Sequence, residues 1–359
     1  MHANLRILYV LIVLTALTGG VWWFTMEDKG ALASIEGTDF AIADTSAVDK
    51  IFIADMDGQS VTLTRPAKGS LWDVNGRFKA REDAVDLLLK TFLRTTVQGP
   101  VAAAAQPNVI RLLAARGKKV EVYQGGDHPV KTWYVGTATP SHTGTYMVLE
   151  TPEGRGEQPF VVHMEGFTGY LSTRFFTSER DWRFTGIFNF PKRSLKRIAV
   201  RQLEGASFAY SLETDRDGSL MMKDWAGEPL AYLDTAGMRA HFLRFKKVHL
   251  ETYKSRLSAS VEDSLRQSNP AFELQATGWS GETRRILVHC IPSNGRAVDD
   301  AGSPMPHDME QLYGVTDQGE VVLLQRFVFD PLIRPLEKLL LPVMPPVACL
   351  LYTSPSPRD

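Results

Sequence analysis

Cysteine is nearly missing from this chain of 359 residues, which holds two: Cys290 and Cys349. The second opens the run Cys-Leu-Leu-Tyr-Thr-Ser-Pro-Ser-Pro-Arg-Asp, which back-translates into a transposase-type sequencing adapter read in frame. Residues 349–359 are therefore read as a processing scar and kept out of fold reasoning, and the natural C-terminus is expected to differ. Cys290 alone makes no intramolecular disulfide, which excludes a disulfide-stapled scaffold. A surplus of either charge is missing too. With 40 basic and 41 acidic residues the net charge is −1, so the electrostatic footprint of a nucleic-acid binder is lacking.

Local catalytic signatures are equally scarce. The histidines are scattered, with no His-Glu-x-x-His and no Cys-x-x-Cys, and neither a phosphate-binding loop nor a dinucleotide fingerprint occurs. Gly278-Trp279-Ser280-Gly281-Glu282 approaches a nucleophile elbow but lacks the final glycine that the strained turn needs. Ser141-His142 reads as a hairpin loop. Two Asp-x-Asp-Gly stretches, starting at Asp55 and Asp215, resemble the opening of a calcium loop. The twelfth position, where a bidentate glutamate belongs, holds Pro66 and Ala226, so both read as hairpin turns. No cofactor is implied. A triad assembled from distant positions leaves no such local trace, so enzymatic activity stays open.

What is present begins with an apolar run. Residues 7–26, from Ile7 to Met26, carry no charge, and at 1.5 Å per residue a helix of about twenty residues spans a bilayer core. Arg6 precedes it, Trp22 and Trp23 suit the membrane interface, and Glu27 and Asp28 follow. We read a single-pass inner-membrane anchor, with residues 1–6 cytoplasmic, 27–39 a linker and the bulk of the chain periplasmic. A cleaved signal peptide with an Ala31-Leu32-Ala33 site is the alternative. The charges between that site and the apolar run favour the anchor.

Beyond the anchor the 44% hydrophobic content supports a large core. Alternating residues on both sides of Asp57-Gly58 predict a hairpin, and a third strand carries Trp72. Ala84, Val85, Leu88, Leu89 and Phe92 fall on one face of a helix, and a second short helix is expected around Val109 to Arg116. Strand-like runs follow at 118–123, 130–136, 145–150 and 159–164. The order returns about 150 residues later. Ile198 answers Ile51, Gly205 answers Gly58, and Met238, Phe242 and Phe245 answer Val85, Leu89 and Phe92. The expected fold is α+β: two tandem repeats of an antiparallel sheet with helices packed on one face, over 40–174 and 194–345.

Three stretches are candidate sites. The joint 175–193 is rich in aromatics and charge, and reads either as an exposed recognition strip centred on Trp182 and Arg183 or as a packed linker. Lys192, Arg193, Lys196, Arg197 and Arg201 form a basic cluster suited to an acidic partner or an anionic envelope polymer, or to a charged strand edge. Asp299, Asp300, His307 and Asp308 are weak candidates for metal ligands in a loop with Gly302, Pro304 and Pro306, otherwise a solvated insertion.

Taken in series, the apolar anchor, FAIADTSAVDKIFIADMDGQSVTLTR, the Trp-x-Val-Asn-Gly turn, GTYMVL and GFTGYLSTRF resemble the domain-of-unknown-function family numbered 4340, over roughly 40–330. The resemblance implies a membrane-anchored extracytoplasmic α+β protein of a family found beside gliding-type ABC exporter components. It supplies no catalytic residues. The expected function is a non-catalytic accessory protein that binds an ABC transporter or another envelope protein. Binding of an envelope peptide or glycan is the alternative, and a hydrolase or metal enzyme using the 299–308 loop comes third.

Overall fold

The computed structural model describes residues 37–340, apart from 68, 70, 192, 206, 207, 232, 254, 255, 296, 299 and 300, together with 15, 18 and 19. The anchor, the 27–36 part of the linker and the 349–359 tail thus fall outside the described residues, save those three positions. No helix among the described residues is long and apolar enough to cross a membrane. The chain divides into two compact units, with the boundary between Phe184 and Thr185. The architecture is α+β, and every strand pair is antiparallel.

The first unit opens with β1 (Lys50–Asp55), β2 (Ser60–Thr64), β3 (Asp73–Val74) and β4 (Phe78–Lys79). Gly58 takes φ +82° in the first turn, where the carboxylate of Asp55 accepts backbone N–H bonds from Asp57 and Gln59. The Asp-x-Asp-Gly stretch is thus a hairpin turn whose acid serves the turn itself. Then come α1 (Glu82–Arg94), β5 (Thr95–Pro100), α2 (Gln106–Arg116), β6 (Lys118–Tyr123), β7 (Lys131–Ala138), β8 (Thr145–Thr151), β9 (Gly154–Arg155) and β10 (Phe160–Met164). Strand order is β4-β3-β2-β1-β6-β7-β8-β10-β5, with β9 paired to β8.

Helix α1 carries Glu82 and Asp83 in its first turn and Arg94 in its last, matching the helix dipole. It buries Ala84, Val85, Leu88, Thr91 and Phe92. Phe92 meets Trp133 of β7 edge-to-face with ring centroids 4.9 Å apart. Helix α2 packs elsewhere. Its Val109 and Leu113 lie with Val148, Tyr134 and Tyr146, whereas Trp133, Val135, Met147 and Leu149 belong to the core under α1. Successive residues of a strand point to opposite faces, so the two helices cover opposite faces of the sheet. This corrects the one-face expectation: the strands that read as buried runs, such as Tyr146-Met147-Val148-Leu149, are apolar on both sides and need both sides covered.

The second unit contains β11 (Gly186–Asn189), β12 (Leu195–Gln202), β13 (Ala209–Thr214), β14 (Leu220–Asp224), α4 (Thr235–Arg244) after the short α3 (Glu179–Trp182) of the first unit, β15 (Lys247–His249) and α5 (Ala259–Gln267). It finishes with β16 (Phe272–Gly278), β17 (Thr283–Pro292), β18 (His307–Thr316), β19 (Val321–Gln325) and α6 (Arg326–Phe329). The main sheet runs β14-β13-β12-β16-β17-β18-β19, while β11 pairs with β15. Ile198, Leu212, Leu274, Ile286 and Leu324 share a core with Met238 and Phe242 of α4 and with Phe245 just beyond it. Helix α5 buries nothing and is held by Arg266, which pairs with Glu262 and Asp263 and donates to the Gly319 carbonyl.

Within that core His241 is fully buried, its Nε2 2.9 Å from the Tyr210 hydroxyl, which in turn donates to the Arg334 carbonyl at 3.0 Å. Burial, reinforced by the charges of Arg334 and Arg244 and opposed by the Pro331 carbonyl, pushes the imidazole down to about 4.

Candidate functional site

The joint read from sequence is divided between the two units. Phe175 and Trp182 are inside the first core, and Phe188 and Phe190 inside the second. Trp182 is fully buried and its indole N–H donates to the Phe176 carbonyl; Arg183 is buried with its guanidinium 3.8 Å from the Phe78 ring centre. An exposed recognition strip at Trp182 and Arg183 is thereby corrected. Aromatic and arginine content marks binding surfaces and interiors alike, and here the large indole found the core.

The basic cluster is placed on the second unit and is also split. Lys192 lies outside the described residues. Arg197 lines a small recess of about 290 Å³ with Glu213, Lys223 and Trp225, and Arg201 lies 5.1 Å from the Trp225 ring. Acids share that recess: Asp224 lines it, and Glu213 pairs with Lys196 at 3.3 Å and with Lys223 at 3.6 Å. Arg193 faces a larger groove of about 790 Å³.

Four elements build that groove. The start of β12 and the segment before it supply Leu195 and Arg193, the β13–β14 hairpin supplies Thr214 to Gly218 and Leu220, and α4 with the turn after it supplies Arg239, Phe242, Leu243 and Lys246. The β16–β17 turn supplies Trp279. Gly218 and Gly281, at φ +89° and +90°, make the two turns possible. Trp279 is fixed from behind, because its backbone N–H donates to the Ser194 carbonyl at 2.9 Å. Ser280 beside it donates to Glu282, so the near-miss elbow is a turn whose serine is engaged by a neighbouring acid.

Charge in the groove is lopsided. Arg193, Arg216, Arg239 and Lys246 are exposed and none of them is ion-paired with a described residue; Arg239 donates only to the Gly218 carbonyl. Two acids share the lining. Asp217 accepts the Ser219 backbone N–H, which holds its carboxyl below the usual range, and Asp215 accepts the Ser219 hydroxyl. Both are committed to their turn. Trp279 stays 37% exposed, with Lys196 5.4 Å and Arg216 5.8 Å from its ring centre. Apolar lining from Leu195, Leu220, Phe242 and Leu243, four cations against two acids and a half-open indole can hold an anion with an apolar part.

The 299–308 loop assembles less. Asp299 and Asp300 lie outside the described residues. His307 and Asp308 are not in a loop but begin β18, His307 opposite Pro292, and the Asp308 carboxylate accepts the N–H groups of Glu310 and Gln311. Among the described residues no three His, Cys, Asp or Glu side chains converge as metal ligands would. Sequence reasoning missed most of the groove: Arg216 was hidden in a turn motif, Trp279 in a failed catalytic motif, Arg239 on the polar side of a core helix and Lys246 just past its end. Neither a family of known proteins, a curated protein nor a solved structure matches this chain, so the resemblance noted in sequence rests on its series of motifs alone.

Proposed function

We propose that this chain is a non-catalytic accessory protein, anchored in the inner membrane by residues 7–26 and facing the envelope, whose second unit holds an anionic ligand presented by an ABC exporter component or another envelope protein. One observation carries the reading: exposed Arg193, Arg216, Arg239 and Lys246 share a groove with Trp279 and have no carboxylate partners among the described residues. Exposed cations left unpaired around a concavity raise the local concentration of anions and steer them in.

The proposal also takes the two units as copies of one design. Strands β3-β2-β1-β6-β7-β8-β10 of the first follow the same order as β14-β13-β12-β16-β17-β18-β19 of the second. Ile51 pairs with Leu63 and Val122, as Ile198 pairs with Leu212 and Ala276. In each unit a core helix follows the third strand or its extension, and a second helix precedes the return to the sheet.

The test is retention on immobilised polyglutamate across a salt gradient. Wild type elutes late, and Arg216→Glu with Arg239→Glu elutes early at an unchanged melting temperature. Equal elution of the two sinks the reading.

A further inference from the structure

The place that the groove takes in the second unit is filled in the first, and the contrast points to its ligand. In the first unit Leu63 pairs with Val74, and in the second Leu212 pairs with Met222. Two residues outward from these pairs stand Arg65 and Trp72 in the first unit, Thr214 and Leu220 in the second. Arg65 lies 4.8 Å from the Trp72 ring and donates to the Val48 carbonyl at 2.7 Å and the Thr45 carbonyl at 3.0 Å. The long side chain therefore fills the mouth of its own unit, over the residue three ahead of Ile51. In the second unit Thr214 pairs directly with Leu220, Leu195 stands three ahead of Ile198, and all three line open space. Shorter side chains have left a bed that no described residue of the unit covers.

The cations around that bed are spread out. Arg239 and Lys246 are seven residues apart along α4 and its end, about 10 Å at the helical rise. Carboxylates on alternate residues of an extended chain recur about every 7 Å, so each can meet a cation of its own along such a spread. Resting on the anion-binding reading above, we infer that the groove takes one extended acidic peptide segment per chain, with an apolar side chain on Leu220 and Phe242 and its carboxylates facing Arg193, Arg216, Arg239 and Lys246. The first unit takes none, because Arg65 on Trp72 occupies the corresponding place.

Isothermal titration of the full chain with a short peptide that alternates glutamate and serine, but carries one leucine at a central glutamate position so that it shares a face with the flanking carboxylates, tests this. One peptide should bind per chain, about tenfold (about 1.4 kcal/mol) more tightly than a peptide alternating glutamate and serine, because its leucine is taken out of water. Arg216→Glu with Arg239→Glu should weaken it about tenfold, and Thr214→Arg with Leu220→Trp, which rebuilds the plug, should abolish it. Equal affinity for the two peptides, a stoichiometry of two, or full binding by the plugged variant overturns the inference while leaving an anion site. Binding of phosphatidylglycerol vesicles but of neither peptide transfers the site to lipid headgroups and overturns it as well. If neither peptides, vesicles nor inorganic phosphate bind, the anion-binding reading falls with it.

Discussion

Protonating His241 should cost the second unit much of its stability. The imidazole is fully buried beside Tyr210 and Phe245, and its folded pKa of about 4 lies below the ordinary 6.5. Because the folded value is depressed, the unfolded chain binds the proton more readily between those limits. Stability contributed by the neutral ring is then complete above about pH 6.5 and lost as the pH falls towards 4. At 1.36 kcal/mol per pH unit, going from pH 7 to pH 4.5 costs roughly 2 kcal/mol. Other groups titrate over the same interval, so the quantity to measure is a difference. His241→Gln keeps an N–H donor at similar reach to the Tyr210 hydroxyl but has no proton to gain. Urea midpoints followed by backbone circular dichroism should fall more steeply with acid for wild type than for this variant. An imidazole NMR titration of the folded protein should place the transition near 4. Parallel pH profiles, or an imidazole titrating near 6.5, refute the reasoning.

Trp133→Ala should lower the stability of the first unit by about 3–5 kcal/mol in the same urea experiment, because the indole is fully buried against Phe92 and Phe175. Gly314→Ala should cost about 1–3 kcal/mol and lower the melting temperature, since the added methyl would sit 2.7 Å from Ile286 Cδ1 and 2.9 Å from Leu324 Cδ1. Cys290 should alkylate slowly at pH 8 in a Cys349→Ser background, because partial burial pushes its thiol up and nearby Arg326 offsets this only in part; labelling as fast as that of a free thiol would contradict the half-buried placement.

Much of the fold was legible because period and burial agreed. Strand β6 coincides with the run read at 118–123, and α1 buries Ala84, Val85, Leu88 and Phe92 as its spacing requires. Helix α2 was legible as a helix but not in its place, since which face a helix covers depends on long-range packing against Val148 and Tyr146. Strand β18 was masked by the Gly and Pro residues just before it, and α5 by its polar composition, for it is held by Arg266 rather than by apolar burial. The basic cluster was legible as charge, but only pairing decides what charge does: Lys196 meets Glu213, while Arg193 meets none of the described acids. Trp182 shows the limit from the other side, because nothing local separates an aromatic that seals a core from one that waits for a ligand.

The division of 175–193 between two interiors has a consequence for synthesis on the ribosome. Phe175 and Trp182 complete the first core well after its last strand, β10, has been made. The nascent first unit must therefore hold an unfinished apolar cavity until Trp182 clears the exit tunnel. A few residues later Phe188 and Phe190 emerge as the first pieces of the next core. Domains generally fold as units from the N-terminus during translation, so a pause in elongation just as Trp182 clears the tunnel would let the first unit close before the aromatic residues of the second can compete for its cavity.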